Sequence, residues 1–160
     1  MKAGLALGLA VLATPAAARD SLGVFDSWGA FRDASPPRCF AIAEPLRNRA
    51  GAWKPFASVA RWPAQRIRAQ VHFRLSRERR AGARVTLKVG DRSFALTGSG
   101  AEAWAPDQRA DAAIVAAMRS APSMVVTSVS VGGRTFADGY ALKGAASAID
   151  AAALGCARRG

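Results

Sequence analysis

The sequence predicts a mainly β (α+β) domain, an antiparallel β-sandwich or open barrel with two short helices packed on it. Three observations carry that expectation. In residues 66–76, Ile67, Ala69, Val71, Phe73 and Leu75 alternate without a miss against Arg66, Arg68, Gln70, His72, Arg74 and Ser76, the period-two pattern of a half-buried strand. Two runs of alternating apolar residues are each broken by a glycine-containing pair, Gly90-Asp91 and Gly132-Gly133, as tight hairpins require. Residues 107–120 and 145–154 each place apolar residues at three- and four-residue spacing, which reads as two core-facing helices.

The first 18 of the 160 residues are expected to lie outside the fold. Met1-Lys2 is a short basic start, residues 3–13 are apolar, and Thr14-Pro15-Ala16-Ala17-Ala18 ends in an Ala-x-Ala cleavage signal. This is the layout of a signal peptide cut between Ala18 and Arg19. The apolar run is too short for a spanning helix, which needs about 20 residues. No later run is long enough, so no transmembrane segment is expected after cleavage. The remaining residues 19–160 suffice for one β-rich domain.

Along that domain, residues 22–31 read as a first strand with an irregular start, broken by Ser35-Pro36-Pro37. Residues 39–43 form a short second strand, and residues 45–55 a basic loop carrying Arg47, Arg49 and Lys54 around Trp53. Residues 56–62 make a third strand, ended by Pro63, and the long alternating strand follows. Residues 76–82 read as a solvated turn. The first hairpin spans residues 84–96, after which Gly98-Ser99-Gly100 leaves the sheet and leads past Trp104 to the first helix. Asp107 is placed to cap that helix and Pro122 to stop it. Asp107 and Asp111 read as first-turn partners of the helix dipole rather than as paired catalytic carboxylates. The second hairpin occupies residues 124–137, Asp138-Gly139 reads as a turn, and the last helix ends at Gly155, a C′ glycine. Val89-Gly90-Asp91-Arg92-Ser93-Phe94-Ala95 and Val131-Gly132-Gly133-Arg134-Thr135-Phe136-Ala137 match closely, so the hairpin-plus-helix unit reads either as a duplication or as coincidence between two tight hairpins.

The whole chain carries a formal charge of +12, and losing Lys2 with the leader leaves 22 basic against 11 acidic residues, a formal +11. Such a surface concentrates polyanions. In an exported bacterial protein the expected partners are lipopolysaccharide, anionic lipid, an acidic glycan or an acidic protein, and export disfavours nucleic acid. The anion-binding candidates are Arg66, Arg68, His72 and Arg74 on the long strand, with Arg47, Arg49 and Lys54 from the basic loop. Cys39 and Cys156, an even pair in an oxidising compartment, are expected to form a disulfide that closes nearly the whole domain.

Signatures of catalysis are sparse. His72 is the only histidine. It is a candidate general base for a periplasmic hydrolase or sugar-modifying enzyme, provided a cleft brings a carboxylate or hydroxyl to it. Ser99 lacks the Gly-x-Ser-x-Gly elbow, and no phosphate-cradling glycine motif occurs. Two cysteines and one histidine make no recognisable metal site, and no cofactor is expected. Trp28, Trp53, Trp62 and Trp104 read as core anchors, with Trp53 also able to stack on a sugar or support an arginine.

Four segments carry a resemblance: Asp26-Ser27-Trp28-Gly29, Arg38-Cys39-Phe40-Ala41, Ile114-Val115-Ala116-Ala117-Met118-Arg119, and Tyr140-Ala141-Leu142-Lys143-Gly144-Ala145-Ala146-Ser147-Ala148. In this order the chain resembles the invasion-associated locus B family of exported proteobacterial proteins. The resemblance implies a small periplasmic or surface-associated β-rich protein linked to host-cell colonisation in pathogens, with no active site to carry over. Family members often have a cysteine soon after the tryptophan. Arg32 stands near that place here, which implies that Cys39 pairs with Cys156 instead.

Overall fold

The computed structural model describes residues 19–47 and 53–157; the expected leader, its cleavage junction and Arg49 lie outside the described residues. Ten strands form one antiparallel sheet: β1 (Asp20–Phe25), β2 (Trp28–Ala34), β3 (Pro37–Ala43), β4 (Phe56–Trp62), β5 (Ile67–Arg74), β6 (Val85–Val89), β7 (Arg92–Ser99), β8 (Glu102–Trp104), β9 (Ser123–Val129) and β10 (Thr135–Ala141). Their spatial order is β1-β2-β3-β4-β5-β8-β7-β6-β9-β10. The end strands β1 and β10 do not pair with each other, but the sheet curls so that its far end returns over the start. The Trp28 indole N–H donates to the Ala141 carbonyl at 2.9 Å, and the Phe73 and Tyr140 rings lie 5.9 Å apart. This is the open, mainly β architecture that the alternating pattern predicts.

The core fills the concave side. Trp28, Phe73, Leu87, Ile114, Met118 and Tyr140 are all buried there. Helix α1 (Gln108–Met118) packs on β5, and α2 (Ala145–Ala157) lies across β1–β4. The strands under α2 present Ala30, Ala41, Ala43 and Ala57, and α2 answers with Ala145, Ala148 and Ala152. Small side chains on both surfaces let helix and sheet approach closely, and burial of this apolar surface is the main term holding them. The Cys39–Cys156 bond ties β3 to α2 across a sequence separation of 117, as the cysteine count predicts.

Several expectations are corrected. Residues 22–31 are not one strand but the β1–β2 hairpin, turned at Asp26-Ser27, where Asp26 takes φ 50°; aspartate tolerates this left-handed conformation and replaces the missing glycine signal. Asp138-Gly139 is no turn. Asp138 lies buried in β10 and accepts the Ser76 amide at 2.8 Å. Residues 98–100 do not leave the sheet, since β7 runs to Ser99 and returns as β8. Gly155 does not end α2 but sits inside it, and its bare Cα makes room for the Leu22 side chain. The two similar hairpins also differ: Val89 pairs directly with Arg92 across two residues, whereas Val129 pairs with Thr135 across five.

Candidate functional site

The outer face of β4 and β5 carries the cleft in which most of the site chemistry meets. Along their ladder Phe56 faces Arg74, Ser58 faces His72 and Ala60 faces Gln70. Directly paired residues project to the same side of an antiparallel sheet, so Gln70, His72 and Arg74 share this face. The register then slips, for Trp62 pairs with Ile67, leaving Arg68 and Ala69 opposite Arg61 alone. Such a bulge re-aims a side chain. Arg68 accordingly lies beside Arg61 in a small depression against Ile149 and Ala152 of α2, away from His72. Arg66 stands before the strand, at φ 57°, closing the 3-10 turn Pro63–Gln65. Of the four strand candidates the structure therefore brings together His72 and Arg74 and separates Arg66 and Arg68. Arg47 is exposed in the chain after Leu46, whose amide donates to the Gly139 carbonyl. Lys54 borders an adjoining trough.

His72 is held from three sides. Its Nε2 lies 2.6 Å from the Glu102 carboxylate. Its ring stacks on Trp104 with centroids 4.9 Å apart and meets Phe56 edge-on at 5.2 Å. Strand β8 makes this possible, pairing Trp104 with His72 and Glu102 with Arg74. Glu102 also reaches Arg74 at 3.5 Å. The sequence hid this arrangement because β8 has three residues, too few to show an alternation; its only signal was Trp104 two positions after Glu102.

The opposite wall of the cleft has no local signal in the sequence. Arg19 and Arg38 both donate through Nε to Asp33, each at 2.8 Å. The Arg19 hydrogen bond is the main reason the Asp33 carboxyl sits below the ordinary aspartate range, with Arg38 adding to it against the opposing effect of partial burial. Both guanidiniums lie over the Phe40 ring, at 5.2 and 4.7 Å, and Arg38 also lies 5.2 Å from Trp62. Stacking fixes the planes of the guanidiniums while leaving edge N–H groups available. One carboxylate shared by two guanidiniums leaves this wall a net positive charge. Together Arg38, Phe40, Ser58, Trp62, Gln70 and His72 enclose about 240 Å³. Ile42 and Phe56 pass from this cleft into a trough of about 610 Å³, whose walls include Phe31, Leu46, Lys54 and Pro55. The face thus joins an apolar trough to a cationic, aromatic cleft.

No cluster of three or more histidine, cysteine, aspartate or glutamate side chains suited to a metal occurs among the described residues. None of the described helices is long and apolar enough to cross a membrane. Asp111, read from sequence as a partner of the helix dipole, is buried. It accepts the Val71 amide at 2.8 Å, so its role is to bind α1 to β5.

No curated protein and no solved structure matched the chain. The family model described as invasion associated locus B (IalB) protein matches residues 32–153, a span that runs from Arg32 in β2 to Ala153 within α2, contains β3–β5 and β8, and takes in the cleft residues other than Arg19. The chain belongs to the invasion associated locus B family.

Proposed function

We propose that this is a secreted or periplasmic envelope protein without enzymatic activity, and that it binds an anionic, partly apolar envelope component in the outer groove of β2–β5. Family membership, the leader-like start of the sequence and the Cys39–Cys156 bond support an oxidising, extracytoplasmic setting. The observation that carries the ligand class is the junction of the apolar trough with the Arg19–Arg38 wall. A lipid headgroup or acidic glycolipid has the matching halves, a negative end for the guanidiniums and an apolar portion for the trough. An acidic protein would use the charge but leave the trough unfilled.

The test is cosedimentation of the mature protein with phosphatidylglycerol vesicles across a salt titration. Binding should weaken as salt screens the charges, and Arg38→Gln should weaken it about fivefold, the worth of one cation near an anionic surface. Binding that is absent, or indifferent to salt and to Arg38→Gln, refutes the reading.

A second reading, a hydrolase or sugar-modifying enzyme using His72, is favoured by one observation: the imidazole lies in a cleft with a carboxylate at hydrogen-bond distance. Ser58 stands across the ladder from it. Turnover of chromogenic ester or glycoside substrates that is lost in both His72→Ala and Glu102→Gln would replace the binding reading with this one.

A further inference from the structure

A second site lies away from the groove, where the segment after β5 meets the β9–β10 turn. Sequence makes residues 76–82 a solvated turn, yet the backbone is stitched in place. Arg79 N donates to Gly100 O at 3.1 Å, Arg80 N to Val129 O at 2.9 Å and Val131 N to Glu78 O at 3.1 Å. The facing turn is equally fixed, since Ser130 donates to the Arg134 carbonyl through both its amide and its hydroxyl, each at 2.9 Å. Between them opens a pocket of about 500 Å³, walled by Trp53, Ser76, Arg77, Glu78, Arg134 and Thr135. That size is in the range of small-molecule sites.

Among the described residues its two arginines are unpaired, although the Glu78 carboxylate shares the wall. Neither Arg77 nor Arg134 forms an ion pair with any carboxylate among the described residues. The neighbouring Arg80 and Arg84 form none either, so this corner concentrates positive potential. Trp53 is pinned by its indole N–H, which donates to the Leu75 carbonyl at 2.8 Å, with the Arg74 guanidinium 5.8 Å from its ring. The pocket therefore combines two guanidiniums suited to a phosphate, an oriented aromatic wall, and short polar side chains with one carboxylate able to accept hydroxyl hydrogen bonds.

We propose that the pocket between Trp53, Arg77 and Arg134 binds a phosphorylated sugar, with the phosphate on the arginines and the sugar ring against the indole. The site shares no residue with the cleft of His72, so it stands or falls independently of the groove reading.

The experiment is titration calorimetry of the mature protein with glucose 1-phosphate, glucose and inorganic phosphate as probes. Glucose 1-phosphate should bind, and Arg77→Gln and Arg134→Gln should each weaken it about tenfold, the loss of a charge-assisted contact. Glucose should bind at least about tenfold more weakly for the same reason. Lys88→Gln, on the exposed side of β6, removes a charge elsewhere and should change nothing. Both arginine variants alter pocket-wall side chains rather than the core, and unchanged melting temperatures would confirm their fold. No binding of glucose 1-phosphate, or binding indifferent to the two arginine substitutions, overturns the proposal. Inorganic phosphate binding as tightly as the sugar phosphate overturns the sugar assignment. An affinity equally reduced by Lys88→Gln overturns the site, showing a response to net charge alone.

Discussion

The Asp111 carboxylate of α1 accepts the Val71 amide of β5 at 2.8 Å, continuing from a helix the ladder that β8 leaves unfinished. Strand β8 pairs with β5 only from His72 to Arg74, so without Asp111 the Val71 N–H would be buried with no partner.

Removing the acceptor with Asp111→Ala should cost about 1–3 kcal/mol, the usual penalty for an orphaned buried donor. Burial raises the Asp111 pKa, with the neighbouring Asp107 charge adding to it. The native state therefore binds more protons than the unfolded chain just above the ordinary aspartate value, and stability falls as pH rises through that window. Asp111→Asn keeps an oxygen for Val71 and removes the charge. It should be at least as stable as the parent at pH 7 in urea denaturation; a loss equal to that of Asp111→Ala would show that the charge itself is needed.

The Cys39–Cys156 crosslink closes a loop with a sequence separation of 117, for which the chain-entropy model gives roughly 4–5 kcal/mol. A Cys39→Ala/Cys156→Ala variant should lose stability of that order, read from its denaturation midpoint. Intact mass before and after reduction, without unfolding, checks the bond directly, and two free thiols in protein purified under oxidising conditions would contradict it.

Asp33 gives an acid-sensitive contribution. Its folded pKa lies below the ordinary value because of Arg19 first and Arg38 second. The stabilisation is therefore present above the unfolded value, about 4, and is lost as pH falls through the folded value. Melting temperature should drop on that acid limb, and Asp33→Asn should flatten the drop. The same substitution leaves two guanidiniums without their shared carboxylate, so it should strengthen vesicle binding at neutral pH. Unchanged binding would place the ligand away from this wall.

Gly144, just before α2, and Gly155, inside it, carry opposite expectations. Gly144 has φ 87°, and a methyl group there would overlap the Phe25 carbonyl, part of the backbone of β1. Gly144→Ala should cost about 2 kcal/mol or more, because neither the conformation nor the clash relaxes cheaply. At Gly155 the obstacle is the flexible end of Leu22, while alanine favours the helix by up to about 1 kcal/mol. Gly155→Ala should be close to neutral in thermal melts, and a large loss would show that Leu22 has nowhere to go.

The elements longest in sequence were the most legible. The alternation from Val71 to Leu75, the Gly90-Asp91 hairpin and the Asp107 cap, whose carboxylate accepts the Ala110 amide at 2.7 Å, all follow from local rules. The site was less legible because it is assembled by register. Nothing near His72 in sequence points to Glu102, 30 residues on. Nothing near Arg38 points to Arg19, since the hairpin that brings β1 beside β2 turns on Asp26-Ser27 instead of a glycine. Arg68 shows the converse: a perfect alternation placed it with His72, and one extra residue in the ladder turned it away.

The sulfur bridge also changes what a protease could do to this protein. Residues 77–82 are rich in arginine and lie at the surface, where a trypsin-like enzyme would cut. A cut after Arg80 would fall between Cys39 and Cys156, so both pieces would remain one covalent molecule. The two pieces also stay paired through the sheet, since β5 in one pairs with β8 in the other. The scission would thus appear on a reducing gel while mass under native, oxidising conditions rose only by one water. Until the bond is reduced, a nicked chain would therefore stay in one piece.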